Sequence, residues 1–171
     1  MWQLAAAIGE VALRRRGPEG LPDSTFLIGL LLVLYVILDL VDLSLYGLLA
    51  LRGMGELVAQ LVLLFGYVFA ILSFFKLERR YRQTVSAILG ANVVLYLPIL
   101  LVAIVGQAFG AEVTAPSIAG VRLGFFLWTV IVEATIFARA LSQPLILGFM
   151  FEILYILPSL SISEHFLAAT D

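Results

Sequence analysis

The chain has 171 residues, 63% of them hydrophobic and 13% charged, with a mean hydropathy of +1.11 and a net charge of −2. A soluble globular domain is nearer half apolar and a quarter charged, so this composition points to one membrane domain with no separate soluble domain. The charge balance argues against a nucleic-acid partner, and the absence of cysteine excludes disulfides, thiol catalysis and Cys-ligated metals.

Residues 2–16 read as a short amphipathic helix, with Leu4, Ile8 and Val11 on one face and Gln3, Glu10 and Arg14 on the other. Glu10 and Arg14 stand four residues apart, a spacing that favours an ion pair. Arg14, Arg15 and Arg16 close the polar face, which suits an interfacial helix on an anionic membrane surface. These charges follow the apolar stretch, the reverse of a cleavable signal. Gly17-Pro-Glu-Gly-Leu-Pro22 cannot continue the helix and reads as a linker, after which Asp23 or Ser24 can cap the next helix.

A membrane span needs about 20 mostly apolar residues. Five segments meet that length: 25–46, 56–75, 84–109, 120–137 and 144–160. The third contains Pro98, and Pro158 is expected to bend the last turn of the fifth. The link 138–143 is so short that the last two spans must form a hairpin. With the N-terminus inside, Arg14, Arg15, Arg16, Lys76, Arg79, Arg80, Arg82 and Arg139 are cytoplasmic, and only Arg52 and Arg122 are outside. The positive-inside rule selects that orientation. The expected fold is all-α: an integral membrane bundle of five transmembrane helices, N-terminus cytoplasmic and C-terminus outside. Residues 1–23 form the amphipathic helix and linker, 24–162 the transmembrane domain and 163–171 a short external tail.

Polar residues inside the spans fall into stripes. Tyr35, Asp39, Asp42 and Tyr46 follow steps of four, three and four and share one helical face. Glu56, Gln60 and Tyr67 form a second stripe, and Asn92 and Tyr96 a third. Arg122, Thr129 and Glu133 form a fourth, and Gly148, Glu152, Tyr155 and Ser159 a fifth. Lipid offers such groups no hydrogen-bond partner, so the stripes are expected to converge as one intramembrane polar seam. Asp39, Asp42, Glu56, Arg52 and Arg122 fall in or near the outer half and are expected to build an ion-pair cluster. Glu133 and Glu152 lie deeper, with no basic residue at their depth. An ionisable group inside a membrane is a functional-site hypothesis by default, although buried carboxyls and tyrosines also serve to lock helix packing.

Catalysis finds no support. His165 is the one histidine and falls in the expected tail, which leaves a His-dependent triad or a multi-histidine metal site without material. No P-loop, dinucleotide fingerprint or HExxH occurs. The expectation is therefore a protein with no catalytic residues, no bound metal and no cofactor. Lys76, Arg79, Arg80 and Arg82, with the three arginines before the first span, make a basic cytoplasmic face. Such a face attracts anionic lipid head groups or an acidic protein partner.

The layout resembles the Yip family of small five-span membrane proteins. Arg82-Gln-Thr-Val-Ser-Ala-Ile-Leu-Gly-Ala91, followed by Leu97-Pro98-Ile-Leu-Leu101, is similar to that family's basic loop and Gly- and Pro-containing third helix. Phe137-Ala-Arg-Ala-Leu141 is similar to its short turn between the last two helices. The resemblance covers roughly residues 15–162 and does not account for the acid-rich seam. It implies a non-enzymatic role in membrane organisation or trafficking, through membrane lipids and a protein partner or homo-oligomer. The three-arginine flank and compact loops suit a bacterial cytoplasmic (inner) membrane. The first expectation for function is thus a scaffold or accessory subunit. The alternative is a small transporter or proton-linked permease using Glu133 and Glu152. A wet cavity reaching either glutamate favours transport; a dry seam with every carboxylate hydrogen-bonded favours the scaffold.

Overall fold

The computed structural model describes residues 2–45, 51–109 and 116–167. Six α-helices account for most of them: α1 (Trp2–Ala12), α2 (Thr25–Leu45), α3 (Leu51–Phe74), α4 (Tyr81–Ala108), α5 (Pro116–Ala140) and α6 (Leu145–Leu167). No strand occurs among the described residues. The last five helices are each long and apolar enough to cross a membrane. Large apolar side chains such as Phe26, Val62, Phe74, Leu101 and Ile146 point outward. That is the expected surface of an all-α membrane bundle, because the bilayer is itself apolar solvent.

The helix boundaries have local causes. Ser24 Oγ accepts the Leu27 N–H at 3.3 Å and caps α2, while Asp23 turns aside to Arg82 at 3.4 Å. Three chain reversals at the basic end place a non-glycine residue in the left-handed region: Arg14 (φ 61°), Lys76 (φ 59°) and Ser142 (φ 54°). Each terminates a helix and lets following N–H groups bond back to its last turn, as Arg15 N to Glu10 O, Leu77 N to Leu72 O and Gln143 N to Ala138 O all do at 2.8 Å. Because α1 stops at Ala12, the i,i+4 geometry expected for Glu10 and Arg14 is lost. Glu10 pairs with Arg16 instead, at 3.6 Å. The fifth span also outruns its expected end. Helix α6 continues through Pro158 for nine more residues, to Leu167, so residues 163–167 belong to the bundle, and His165 lies exposed in the last turn.

Packing is uneven along the bundle axis. In α4 every residue from Thr84 to Ala91 is buried. A run longer than two turns can be buried only if all faces of the helix are covered. Helix α4 is thus the central rod, with α1, α2, α3 and α5 packed around it. In α5 the buried run is 132–138. Both runs lie at the basic end. In the opposite halves Leu101, Val102, Ile104 and Val105 of α4 and Leu123, Phe126 and Leu127 of α5 are exposed.

Helix α1 supplies part of this asymmetry. Its apolar face (Ala7, Ile8, Val11) is buried, but against the bundle. Ile8 lies so close to Gly90 of α4 that a Cβ there would come within 2.8 Å of its Cγ2. The end of α1 is tied down by Trp128 Nε1, which donates to the Ala12 carbonyl at 3.2 Å, and by Arg14 Nε, which donates to Thr135 Oγ1 at 2.9 Å. The docking is tight because α4 offers small residues, Ser86, Ala87, Gly90 and Ala91, where its neighbours approach.

The α5–α6 hairpin is the tightest crossing. A Cβ at Gly148 would collide with the backbone carbonyl of Ala134. By contrast, nothing lies within 4 Å of a Cβ placed at Gly66. Gly148→Val is therefore expected to lower stability by about 1–3 kcal/mol through overpacking, and Gly66→Ala to be neutral or slightly stabilising. Thermal unfolding of both variants in one detergent checks the pair; equal midpoints would contradict the close crossing.

Candidate functional site

The opposite half of the bundle holds a cavity of about 480 Å³. Its walls come from all five spans: Tyr35 and Asp39 of α2, Glu56 and Gln60 of α3, Asn92 and Tyr96 of α4, Arg122 and Glu133 of α5, and Glu152 and Tyr155 of α6. With Thr129 and Ser159, twelve of the sixteen stripe residues thus face one space. Asp42 pairs with Arg122, Tyr67 packs against Tyr155 and Gly148 lies against Ala134. Tyr46 and the side chain of Arg52 fall outside the described residues. Apolar lining from Leu38, Ile99 and Phe126 completes the wall.

The end away from the basic loops is organised by Arg122. Its guanidinium donates to both oxygens of Asp42, Nη2 to Oδ1 at 2.5 Å and Nη1 to Oδ2 at 3.3 Å. This fork-to-carboxylate geometry is the strongest form of side-chain ion pair. Tyr96 shares the cavity lining with Arg122. The expected outer cluster therefore centres on Asp42, while Asp39 and Glu56 line the cavity. The reason is one of height: Asp42 lies about one turn further along α2, level with Arg122.

A second network zips α3 to α6. Gln60 Nε2 donates to the Ser159 carbonyl at 2.9 Å and to Ser163 Oγ at 3.2 Å. Ser159 Oγ returns a bond to Gln60 Oε1 at 3.0 Å, and Ser163 Oγ donates to Glu56 at 2.5 Å. Ser163 lies beyond the expected end of the span at residue 160, yet it is still within α6. One further four-residue step along the stripe through Gly148, Glu152, Tyr155 and Ser159 reaches it.

Glu133 and Glu152 form the deep wall, at 4% and 2% exposure. Each lies seven residues from the basic end of its helix, about 11 Å along the axis. Asn92 lines the cavity with them. Glu152 Oε2 meets no hydrogen-bond donor among the described residues.

Aromatic rings pack around and below this pair. Tyr67 is tilted against Tyr155 at 5.4 Å and meets Phe137 edge-on at 6.0 Å, and Phe75 meets Phe151 at 5.9 Å. The Tyr67 hydroxyl donates to the Phe151 carbonyl. Of these rings, Phe75, Phe137 and Phe151 lie nearer the basic end than the glutamates.

The basic residues divide into ties and exposed groups. Arg80 Nη1 donates to the Ala140 carbonyl at 2.7 Å and to Ser142 Oγ at 2.8 Å, which caps the C-terminus of α5. Arg14 holds Thr135, Arg16 holds Glu10 and Arg82 holds Asp23. Arg139 turns to Glu19 at 4.0 Å and to the Arg14 carbonyl at 3.3 Å, away from both glutamates. Arg15, Lys76 and Arg79 are exposed.

Removing one partner of a buried ion pair strands the other. Asp42→Ala is expected to lower stability by roughly 2–4 kcal/mol, and more than Asp39→Ala does. A double-mutant cycle with Arg122→Ala, read by denaturation in detergent, checks this. A coupling near zero would dismiss the pair as structural.

Comparison of the chain with protein-family models, curated proteins and solved structures gives no match, so the reading of this site rests on its geometry.

Proposed function

We propose that the chain is a small proton-linked transporter whose intramembrane carboxylates bind and release a proton as solute occupies the cavity. The observation that carries this reading is the cavity of about 480 Å³ with Glu133 and Glu152 in its wall. A seam serving helix packing alone has no need of such a space, because interiors otherwise close to crystal-like density. Nor has it need of a buried carboxyl oxygen without a donor, which costs stability. Binding sites in membrane carriers lie where polar groups and interrupted helices meet near the midplane. Here Pro98 and Pro158 interrupt the bonding of α4 and α6, next to the lining residues Ile99 and Ser159. The rings on the basic side of the glutamates act as the closed gate on the cytoplasmic side, and the Asp42–Arg122 pair flanks the outer side.

A second reading is a non-enzymatic scaffold or accessory subunit of Yip-like layout in a bacterial inner membrane. The exposed Arg15, Lys76 and Arg79 favour it, since they can meet anionic lipid or an acidic partner. The two readings part at the glutamates. A scaffold needs neither of them ionisable.

Proteoliposomes containing the chain and a trapped pH-sensitive dye provide the test. With an imposed pH gradient and a panel of cationic, neutral and anionic solutes outside, wild type is expected to move protons upon addition of one class. Glu133→Gln and Glu152→Gln are expected to reduce that flux by at least about tenfold while leaving thermal unfolding in detergent intact. Wild-type flux in both variants, or no response to any class, would refute transport through this pair.

A further inference from the structure

We infer that the cavity is a binding site for an organic ammonium cation, held by the carboxyl group of Glu152 in a lining shared with Asp39 and three tyrosines. This deepens the transport reading and rests on it only for the coupling to protons, not for the binding itself.

Charge is the first argument. Four carboxyl groups line the space: Asp39, Glu56, Glu133 and Glu152. Arg122 is the one basic lining residue among those described, and Asp42 engages its fork. Among the described lining residues, acidic groups thus outnumber basic ones four to one. A cationic solute offers them a counter-charge in a region where lipid and low dielectric make an isolated carboxylate costly.

The second argument is the state of Glu152. Its side chain is buried at 2% exposure, faces the cavity, and leaves Oε2 without a donor. Buried polar atoms in native proteins are nearly always satisfied. An ammonium N–H entering the cavity satisfies this one. Glu56, by contrast, already accepts from Ser163, which leaves Glu152, with its unpartnered oxygen, as the anchor, and Asp39 adds a further acid to the same lining.

Size and surface define the cation. A space of about 480 Å³ is far larger than a bare metal ion and lies in the range of small-molecule sites. No group of three or more acidic or histidine side chains among the described residues is arranged to hold a metal. Tyr35, Tyr96, Tyr155 and Phe126 contribute aromatic side chains to the lining. Aromatic walls around an acidic centre favour alkylated or aryl-substituted ammonium through cation–π contact and apolar burial.

The test is calorimetric titration of the full chain in detergent with benzylammonium, whose nitrogen carries N–H donors, as the cation and benzenesulfonate as the anionic shape control. Saturable binding of the ammonium is expected, with none of the sulfonate. Glu152→Gln and, as a second variant should the first not fold, Asp39→Asn are each expected to weaken cation binding at least about tenfold. Equal binding of the sulfonate, no cation binding at all, or unchanged affinity in a folded variant would overturn the proposal. Cation binding without proton movement in liposomes would refute the transport reading and leave this site standing. Proton movement driven only by a neutral or anionic solute would do the reverse.

Discussion

Hydrocarbon cannot hydrogen-bond, and the whole architecture follows from that. Each span carries a row of tyrosines, amides or carboxyls on an otherwise apolar cylinder. Left against lipid, each buried polar group forfeits several kcal/mol of solvation. The arrangement that removes all five rows at once turns them toward a common axis, as the lining of the cavity shows. The outward faces then need only be oily, and they are.

The same constraint explains why the bundle is solid at one end and hollow at the other. At the basic end the meeting faces hold Ser86, Ala87, Gly90, Ala134 and Gly148, so backbones approach closely and α1 can dock in the remaining groove. Towards the opposite end the inward positions are Tyr35, Asp39, Tyr96, Arg122 and Tyr155. Side chains of that length and polarity hold the helices apart and satisfy one another across the gap. The bonds between Gln60, Ser159, Ser163 and Glu56 and the Asp42–Arg122 fork are strong enough to define the walls. They do not fill the middle. A rigid base beneath a polar chamber is a suitable body for binding within the membrane, because the chamber can change shape without unfolding the core.

Much of this was legible in the residues themselves. The stripe through Tyr35 and Asp39, and those through Gln60, Asn92, Glu133 and Glu152, appeared as steps of three and four because a helix repeats every 3.6 residues. Less legible was which acid meets Arg122. Asp39 and Asp42 share a face of α2, and only the relative height of α2 and α5 selects Asp42. Ser163 escaped because hydropathy weakens after Pro158 although the helix does not end there. The position of α1 escaped for a different reason. An amphipathic helix carries the same pattern whether its apolar face meets lipid or Gly90 of a neighbouring rod.

By itself, then, the order of amino acids determined the helical class, the count of spans and which face of each is polar. Those properties are set by composition and periodicity within single segments. The tertiary structure alone decided that the polar faces enclose a space instead of closing on one another. It also decided that Glu133 and Glu152 line the same space and that α1 belongs to the bundle. Such outcomes depend on helix heights and rotations, which are fixed by contacts between residues as far apart as Arg14 and Thr135. No local pattern carries that information.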